Sequence, residues 1–366
     1  MKKYILIPYA NLRIGGVPTK IIDIVNALET IHPNVAVRIL LQNVRLRDQR
    51  SRIHNPNASI VDFSFPFSFG RRPAYILWLW WNILSLRPVS ILAFLSPYAL
   101  PSLLAKRLFF FLHMRVIVSE DHYTQTMLNR MAAPFLQRIA IRVLYPQADV
   151  IITPTKSLMN QLGRLCLLPA HKTRVVFNWT KYSGVPLSTA NRQWDMVHIG
   201  RLVASKHPYR IAQIMQQFVK TNPTARCVIV GEGEEMPHIK RFIFKNNLTK
   251  QIQLCPSTTD VSSYLLQSKI FIFLPEEDTE GFPLVLLEAM ACGAIVITGP
   301  FNGADEVLTD GQNAFIVPAS SITPKFIHKA TKVSLTIQKN AHRFVMKQSS
   351  LKNMYQYVSA LTDLDI

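Results

Sequence analysis

Short apolar runs alternate along this chain with longer stretches of helical period. The first run, residues 4–9, precedes residues 17–30, where Ile21, Ile24 and Leu28 fall on one face of a helix. Further apolar runs stand at residues 36–42, 90–95, 114–118, 148–153, 195–199, 227–230, 270–274 and 294–298. Strands that alternate with helices in this way are typical of parallel sheets. The pattern therefore predicts an α/β fold.

The alternation restarts after a polar segment, residues 181–193, which contains Gly and Pro and has no apolar period. This segment is the best candidate for a linker. A chain of 366 residues exceeds the usual size of one hydrophobic core, and its 49% apolar residues suffice for two. We expect a first domain over residues 1–185, a second over residues 186–345, and a C-terminal helical segment over residues 346–366.

The four cysteines indicate neither a disulfide framework nor a zinc site. Cys166, Cys227, Cys255 and Cys292 are far apart and form no C-x-x-C pair. The apolar run that follows Met1 is too short for a signal peptide and has no small-residue cleavage site. We therefore expect a cytoplasmic protein.

Positive charge is concentrated in the first half of the chain. Residues 1–185 hold 23 Lys and Arg against 7 Asp and Glu, a net charge of +16, whereas residues 186–366 carry a net charge of only +3. A basic run at residues 45–52 belongs to the positive half. This asymmetry indicates that the first half contacts a polyanionic surface, either nucleic acid or anionic lipid.

The helix predicted at residues 75–86 is apolar nearly all round and contains Trp78, Trp80 and Trp81. Arg87 ends the run well short of the ~20 residues that a membrane span needs. Two interpretations stay open: a fully buried helix, or a helix that enters a lipid interface beside basic residues. Binding of single-stranded nucleic acid is less favoured, because the aromatic residues follow a helical pattern rather than a strand.

The most informative motif follows the apolar run at residues 270–274. Between Glu280 and Glu288 stand Gly281, Phe282, Pro283, Leu284, Val285, Leu286 and Leu287. The pattern predicts a turn and then a helix with Pro283 in its first position, where no amide donor is needed. Amides at a helix start attract an anion, and two carboxylates could hold hydroxyl groups of the same ligand. A nucleotide sugar fits this description; the alternative is that both carboxylates are ordinary solvated side chains.

Other polar residues follow predicted strands, where ligands bind in parallel sheets. Gly200 allows close approach, and Arg201 and Lys206 place two cations suited to a diphosphate. In the first half, Gly15 and Gly16 separate the first strand from the first helix, Asp121 and His122 follow the strand at residues 114–118, and Asn178 ends another apolar run. A structural role for His122 is the alternative.

Taken together, these motifs resemble those of retaining glycosyltransferases of family 4. The segment from Glu280 to Glu288 is similar to the E-x7-E signature, in which the first Glu lies beside the donor sugar and the second binds the ribose hydroxyls. Residues 200–206 resemble the family's GRLxxxK motif. The resemblance is looser elsewhere: residues 179–181 replace the customary Gly-Val-Asp after Asn178, and Asn302 replaces the first Gly of a GGxxE motif.

The resemblance implies a GT-B fold, with two Rossmann-like parallel-sheet domains facing a central cleft and a C-terminal helix that crosses back to the first domain. It implies that Glu280, Arg201, Lys206 and His122 are catalytic, with Asp121 as the alternative to His122. Substrate-binding residues would be Gly15, Gly16, Asp121, Asn178, Gly200, Gly281, Phe282, Pro283, Leu284 and Glu288. No metal and no other cofactor is expected.

We therefore expect a metal-independent hexosyltransferase that moves a sugar from a nucleotide sugar, with UDP-sugars favoured, to a glycan or lipid-linked acceptor. The basic, Trp-rich first half favours peripheral contact with the inner face of the plasma membrane, in assembly of bacterial capsule, lipopolysaccharide or exopolysaccharide. No nucleic acid partner is expected. The alternatives are a non-catalytic protein that binds membrane or nucleic acid, and a nucleotide-sugar epimerase of similar two-domain shape.

Overall fold

The computed structural model describes residues 3–43, 48–65, 70–123, 134–184 and 192–362. Residues 45–47 of the basic run and most of the predicted linker lie outside the described residues. The chain divides into a first unit, Met1–Phe177 with Asn353–Ile366, and a second unit, Asn178–Lys352. These boundaries fall several residues away from the ones that the sequence predicts.

The first unit is built on a seven-stranded sheet of order β3-β2-β1-β4-β5-β6-β7, in which the paired strands are parallel. Its strands are β1 (Lys3–Tyr9), β2 (Val35–Leu41), β3 (Ala58–Asp62), β4 (Ser90–Phe94), β5 (Arg115–Ser119), β6 (Val150–Thr153) and β7 (Thr173–Val175). Its helices include α1 (Gly16–Ile31), α2 (Arg71–Leu86), α3 (Ser96–Leu108), α4 (Pro134–Leu144) and α5 (Lys156–Leu165).

The second unit is built on a six-stranded parallel sheet of order β10-β9-β8-β11-β12-β13. Its strands are β8 (Trp194–Ile199), β9 (Cys227–Val230), β10 (Ile252–Cys255), β11 (Ser268–Phe273), β12 (Ile295–Thr298) and β13 (Phe315–Ile316). Its helices include α6 (Pro208–Thr221), α7 (Met236–Lys245), α8 (Ser262–Leu265), α9 (Leu284–Ala291), α10 (Pro324–Lys332) and α11 (Ser334–Gln348).

Central strands of both sheets are buried on both faces, which explains why they read as continuous apolar runs. In β1, the side chains of Ile5, Leu6 and Ile7 are at most 1% exposed. In α1, the residues that the helical period places on one face are buried, as predicted. The alternation of apolar runs and helical stretches thus specified the parallel architecture.

The strand order reverses at one point in each sheet. In the first unit, the chain moves outward in opposite directions from β1 and β4, and in the second unit it does so from β8 and β11. In parallel α/β sheets, ligands bind beyond the carboxyl ends of the strands at such switch points. The loops that follow β8 and β11 carry residues 200–206 and 274–283, so the fold brings these two motifs to the same edge.

The last helix, α12 (Lys352–Thr362), belongs to the first unit. Its residues Met354, Tyr357, Val358 and Leu361 are buried. The hydroxyl of Ser90, at the start of β4, donates a 2.7 Å hydrogen bond to the carbonyl oxygen of Leu361. Helix α12 therefore completes the first unit, although the whole second unit lies between it and the rest of that unit in sequence.

The Trp-rich helix α2 is one-sided rather than fully buried. Tyr75, Leu79 and Ile83 face the core, whereas Leu77 is 63% exposed and Trp81 is 69% exposed. The interpretation of this helix as fully buried is therefore wrong. Within the part of the chain that the structure describes, no helix is both long and apolar enough to cross a membrane.

Two loops of the second unit approach so closely that one of them requires glycine. Gly231, which follows β9, has a φ of +157°, and a Cβ at this position would overlap the carbonyl oxygen of Gly200. The amide of Leu202 donates to the carbonyl oxygen of Glu232 at 2.9 Å. The backbone of residues 200–202 is thus fixed by the turn after β9.

We expect Gly231→Ala to lower the free energy of unfolding by about 2 kcal/mol or more, since the new methyl group collides with backbone. Gly163→Ala is the matched control, because Gly163 lies exposed in α5 with no atom near the position of a Cβ. That change should raise the free energy of unfolding by about 0.5 to 1 kcal/mol. Denaturant unfolding followed by circular dichroism measures both, and equal stability of the two variants would contradict the close approach.

Candidate active site

A buried ion pair joins the two loops of the second switch point. The ammonium group of Lys206 contacts Oε1 of Glu280. Lys206 is 5% exposed and Glu280 is 9% exposed. The Lys206 ammonium also lies 4.7 Å from the centroid of the Phe273 ring, at the end of β11. Two of the predicted catalytic residues, one from each motif, are therefore in direct contact.

Burial lowers the pKa of Lys206 to about 7, and the positive charge of Arg201 acts in the same direction. The Glu280 carboxylate favours the charged form of Lys206 and opposes this shift. Arg201 itself is exposed at the carboxyl end of β8. An anion that binds beside Arg201 and Lys206 would add a second favourable partner for the lysine charge, so proton binding and anion binding are coupled here.

Backbone hydrogen bonds hold the two loops together around this pair. The amide of Glu276 donates to the carbonyl oxygen of Ser205 at 2.9 Å. The ring of His207 lies with Nδ1 3.0 Å from the carbonyl oxygen of Leu274. These contacts place the segment before Glu280 against the segment that carries Lys206.

A histidine that the sequence analysis did not single out connects the strands behind the pair. His198, in β8, is fully buried, and its Nδ1 lies 3.0 Å from the carbonyl oxygen of Ile272 in β11. Burial lowers the pKa of His198 to about 4, with the Lys206 charge acting in the same direction. The sequence signal that could have identified His198 is a histidine in an apolar strand that ends just before Gly200. His198 is therefore neutral near pH 7 and cannot add to the positive charge of the site.

The start of α9 differs slightly from the prediction. The helix begins at Leu284, and Pro283 is its N-cap with extended backbone angles and no side-chain cap. Pro283 was predicted at the first helical position, so that assignment is wrong by one residue. The preceding turn is held by Asn178, whose side-chain amide donates a 2.6 Å hydrogen bond to the carbonyl oxygen of Phe282.

The residues around this turn differ in what they expose. Gly281, Phe282 and Pro283 are buried, and the Phe282 ring packs 6.2 Å from that of Phe301. These side chains support the turn, so any contact with a ligand would come from their backbone. Leu284 and Glu288, four residues apart in α9, are both partly exposed and lie on one face of the helix.

Gly15 and Gly16 occupy the predicted position between β1 and α1 in the first unit. Gly15 has an extended φ of 166°, and a Cβ there would lie 3.8 Å from the nearest heavy atom. Neither the backbone angle nor the packing of the unit therefore requires glycine at residue 15. A ligand that approaches this backbone remains a reason for it, and the role stays a prediction.

The structure separates the two residues that the sequence left as alternatives at the end of β5. Asp121 is 7% exposed and is engaged within the unit: its Oδ1 lies 2.5 Å from the ammonium of Lys20, and its Oδ2 accepts a 3.0 Å hydrogen bond from Ser119. His122 is half-buried. This favours His122 over Asp121 as the residue that meets a ligand. Asp121 was predicted to bind substrate; both of its carboxylate oxygens have partners within the unit, and the substrate role stays a prediction.

Within the described residues, no group of three or more His, Cys, Asp and Glu side chains is arranged to hold a metal ion. The prediction that the reaction needs no metal stays a prediction.

The residues of the second unit also match a known protein family. Residues 186–350 match its family model. The family is Glycosyl transferases group 1. The match covers the Lys206–Glu280 pair, Arg201 and α9. It ends near the end of α11, so it covers nearly the whole second unit and none of the first.

Two curated relatives match about half of the chain, and one of them is named as a glycosyltransferase. The chain is 27% identical over 195 residues to the N-acetyl-alpha-D-glucosaminyl L-malate synthase of Bacillus anthracis, covering 50% of each chain. It is 24% identical over 209 residues to the N-acetylgalactosamine-N,N'-diacetylbacillosaminyl-diphospho-undecaprenol 4-alpha-N-acetylgalactosaminyltransferase of Campylobacter jejuni, covering 56% of this chain and 55% of that protein. The chain thus spans about half the length of the curated relatives it matches.

A solved structure resembles the chain over its full length. The Anabaena protein HepE in complex with UDP and glucose has a TM-score of 0.77 and 16% sequence identity, covering 99% of this chain and 100% of that chain. At this identity the likeness shows the fold, which is GT-B, built from two parallel-sheet α/β units. The fold class that the sequence predicted is confirmed.

We expect Lys206 to take up a proton when a diphosphate binds beside it and Arg201 at a pH above about 7. With a pKa of about 7, Lys206 is mostly neutral near pH ~8, and a bound anion raises that pKa. Affinity should therefore fall as the pH rises from about 7 to 9. Calorimetry with inorganic pyrophosphate in two buffers of different ionisation enthalpy measures the uptake.

Two variants identify the group that takes up the proton. Lys206→Met/Glu280→Gln removes both charges of the pair and should abolish the proton uptake. Arg201→Ala should weaken pyrophosphate binding but retain the proton uptake. The titration of pyrophosphate itself is common to both variants. Equal uptake in the two would show that Lys206 is not the group that titrates.

Proposed function

We propose that this protein is a retaining glycosyltransferase of family 4 that transfers a sugar from a UDP-sugar to a glycan or lipid-linked acceptor in assembly of bacterial surface polysaccharide. The observation that carries the proposal is the buried contact between Lys206 and Glu280 beside Arg201, at the switch point of a sheet and the start of α9. Positive charge and a carboxylate that accepts hydrogen bonds from hydroxyl groups thereby lie side by side.

This arrangement suits the chemistry of sugar transfer. Cleavage of the bond between the anomeric carbon and the diphosphate leaves negative charge on the leaving group and positive character on the sugar. Fixed cations at the phosphates stabilise that charge, and each donor at a comparable anion site lowers the barrier by about 3 to 4 kcal/mol. Arg201 and Lys206 are suited to this role, together with the amides at the start of α9.

The two carboxylates have separate roles in the proposal. Glu280 orients the hydroxyl groups of the donor sugar while it is paired with Lys206. Glu288 lies about one turn inside α9, which begins at Leu284, on the partly exposed face of the helix, where it binds the ribose hydroxyls.

The relatives support the choice of donor and acceptor. The solved structure of HepE is a complex with UDP and glucose, which favours a UDP-sugar. The name of the Campylobacter jejuni relative describes a diphospho-undecaprenol acceptor, which favours a lipid-linked glycan.

Release of nucleoside diphosphate from a panel of UDP-, GDP- and ADP-sugars tests the assignment. No release from any donor would favour a non-catalytic binding protein, and conversion of the free donor sugar would favour an epimerase.

We expect Glu280→Gln, and separately Arg201→Ala/Lys206→Ala, to reduce sugar transfer by at least ~100-fold, since each removes charge at the reacting groups. Product formation is measured by chromatography with the donor that the panel identifies. Circular dichroism checks that each variant folds. Lys220→Ala, a change at an exposed lysine in α6, is the control and should keep the rate. Unchanged turnover in the site variants would refute the assignment of the site.

An apolar and basic surface of the first unit supports contact with an anionic membrane. Helix α3 packs against both α2 and α4, and the indole nitrogen of Trp80 donates a 3.0 Å hydrogen bond to the carbonyl oxygen of Pro101 in α3. The exposed apolar side chains of these three helices and of the turn at Phe110–Leu112 are here called the apolar face: Leu77, Trp81, Leu84, Leu108, Phe110, Phe111, Phe135, Leu136, Ile139 and Val143.

The charge of the same helices matches an anionic lipid surface. Helices α2, α3 and α4 contain no Asp or Glu. Their basic residues are Arg71, Arg72, Lys106, Arg107, Arg138 and Arg142. In α4, Phe135, Ile139 and Val143 recur every four residues and are 71%, 45% and 50% exposed, with Arg138 and Arg142 beside them. Apolar side chains flanked by arginines are typical of helices that lie in a membrane interface.

We expect the protein to float with vesicles that contain anionic lipid at low salt, and less at high salt. Phe135→Ser/Ile139→Ser should reduce binding by at least ~10-fold, because two apolar anchors are lost. Phe244→Ser is the control, since Phe244 is 76% exposed but lies in α7 of the second unit. Equal loss in both variants, or no flotation at low salt, would refute the membrane role of the apolar face. Self-association of the wild type without lipid would instead assign this face to a second copy of the chain.

A further inference from the structure

A lysine is buried in the core of the first unit. Lys20 lies in α1, five residues after Gly15, and is 1% exposed. It falls on the apolar face of this helix, between Val17 and Ile24. A buried ammonium group costs several kcal/mol unless charge and hydrogen bonds compensate it, so its partners are essential to the unit.

The partners of Lys20 come from distant parts of the chain. Its ammonium lies 2.5 Å from Oδ1 of Asp121 and donates a 3.0 Å hydrogen bond to the hydroxyl of Tyr357. The hydroxyl of Ser119 lies 3.0 Å from Oδ2 of Asp121 and 3.1 Å from the Tyr357 hydroxyl. These four residues form the Lys20 cluster. It ties α1 and the end of β5 to α12.

The Lys20 cluster is adapted to a charged lysine. The ammonium lies 4.8 Å from the centroid of the Tyr357 ring and 5.8 Å from that of Phe94, both suited to a cation. Burial by itself lowers the pKa of Lys20, but the Asp121 carboxylate and the Tyr357 hydroxyl outweigh it and the pKa is raised. Ion pair, hydrogen bond and ring contacts therefore all favour one arrangement of the end of β5.

The same strand end is held from a second direction. The hydroxyl of Tyr145 donates to the buried carboxylate of Glu120, and the amide of Glu120 donates to the carbonyl oxygen of Ile152 in β6 at 2.9 Å. Residues 119–121 are thus fixed at consecutive positions, and the next residue is His122. The position of His122 is set by groups that need not touch a substrate.

We propose that Lys20, Asp121 and Tyr357 are positioning residues that hold the His122 segment in place relative to the glycines before α1. Through Tyr357, helix α12 of the first unit is then required for sugar transfer. This inference rests on the proposed function, in which His122 acts on the sugar or acceptor. It assigns to the C-terminal helix a catalytic contribution made through another residue rather than through a contact with substrate.

Tyr357→Phe tests the proposal, because it keeps the ring over Lys20 and removes the hydroxyl bonded to Lys20 and Ser119. We expect kcat for sugar transfer to fall about 10-fold, the equivalent of one buried hydrogen bond, with the KM of the donor unchanged. Tyr355→Phe is the matched control, since Tyr355 lies in the same helix and is 49% exposed. A kcat within twofold of the wild type in Tyr357→Phe would overturn the proposal.

A second pair of variants separates positioning from stability. Lys20→Met leaves the Asp121 carboxylate buried without its cation and should lower the melting temperature, whereas Lys20→Met/Asp121→Asn should recover much of that loss. If the cluster positions His122, the double variant stays slow although its stability recovers. Full recovery of kcat together with the melting temperature would mean that the cluster serves stability alone.

Hydrogen exchange decides the question without relying on turnover. Amides of residues 119–123 should exchange faster in Tyr357→Phe than in Tyr355→Phe, and equal exchange would overturn the positioning role. A wild type that turns over no donor would instead sink the proposed function, and the exchange experiment would still measure whether the cluster holds this segment.

Discussion

The second unit depends on a lysine and a carboxylate that meet out of water. Lys206 and Glu280 belong to loops that follow different strands, and neither charge would tolerate burial without the other. Much of the neighbouring structure serves to bring these loops together. Gly231 allows the loop after β8 to lie close, the Glu276 amide joins the loops, and Asn178 holds the turn before α9. The pair and its supports thus form one mutually dependent arrangement.

The first unit solves a similar problem with different residues. Lys20 and Asp121 are also buried and in contact, and they too lie near the carboxyl ends of a parallel sheet. The difference lies in their surroundings. Both oxygens of Asp121 are engaged by neighbours in the same unit, whereas the Lys206–Glu280 pair has the exposed guanidinium of Arg201 beside it. One pair is suited to hold a segment, and the other is suited to meet an anion.

Periodicity was sufficient to predict most of the fold and part of the site. Buried parallel strands such as β1 leave a continuous apolar run, and spacing predicted that residues 200–206 and 280–288 belong at one edge. The pattern does not predict β3, because each of its residues is only half-buried and its sequence is mixed. It also overstated the burial of α2, since apolar composition alone cannot show that Leu77 and Trp81 face outward. The contact between Lys20 and Asp121 was not predicted, because the two residues lie 101 positions apart in sequence.

The return of α12 to the first unit has a consequence for biosynthesis. The contacts of Ser90 with Leu361 and of Lys20 with Tyr357 span 271 and 337 positions, so they can form only after α12 has left the ribosome. Until then the nascent first unit carries a buried cation that lacks one of its partners, together with an uncovered site for the helix. Completion of the first unit is thereby delayed until α12 has been synthesised, and a fragment ending at Phe177 would lack the segment that completes it.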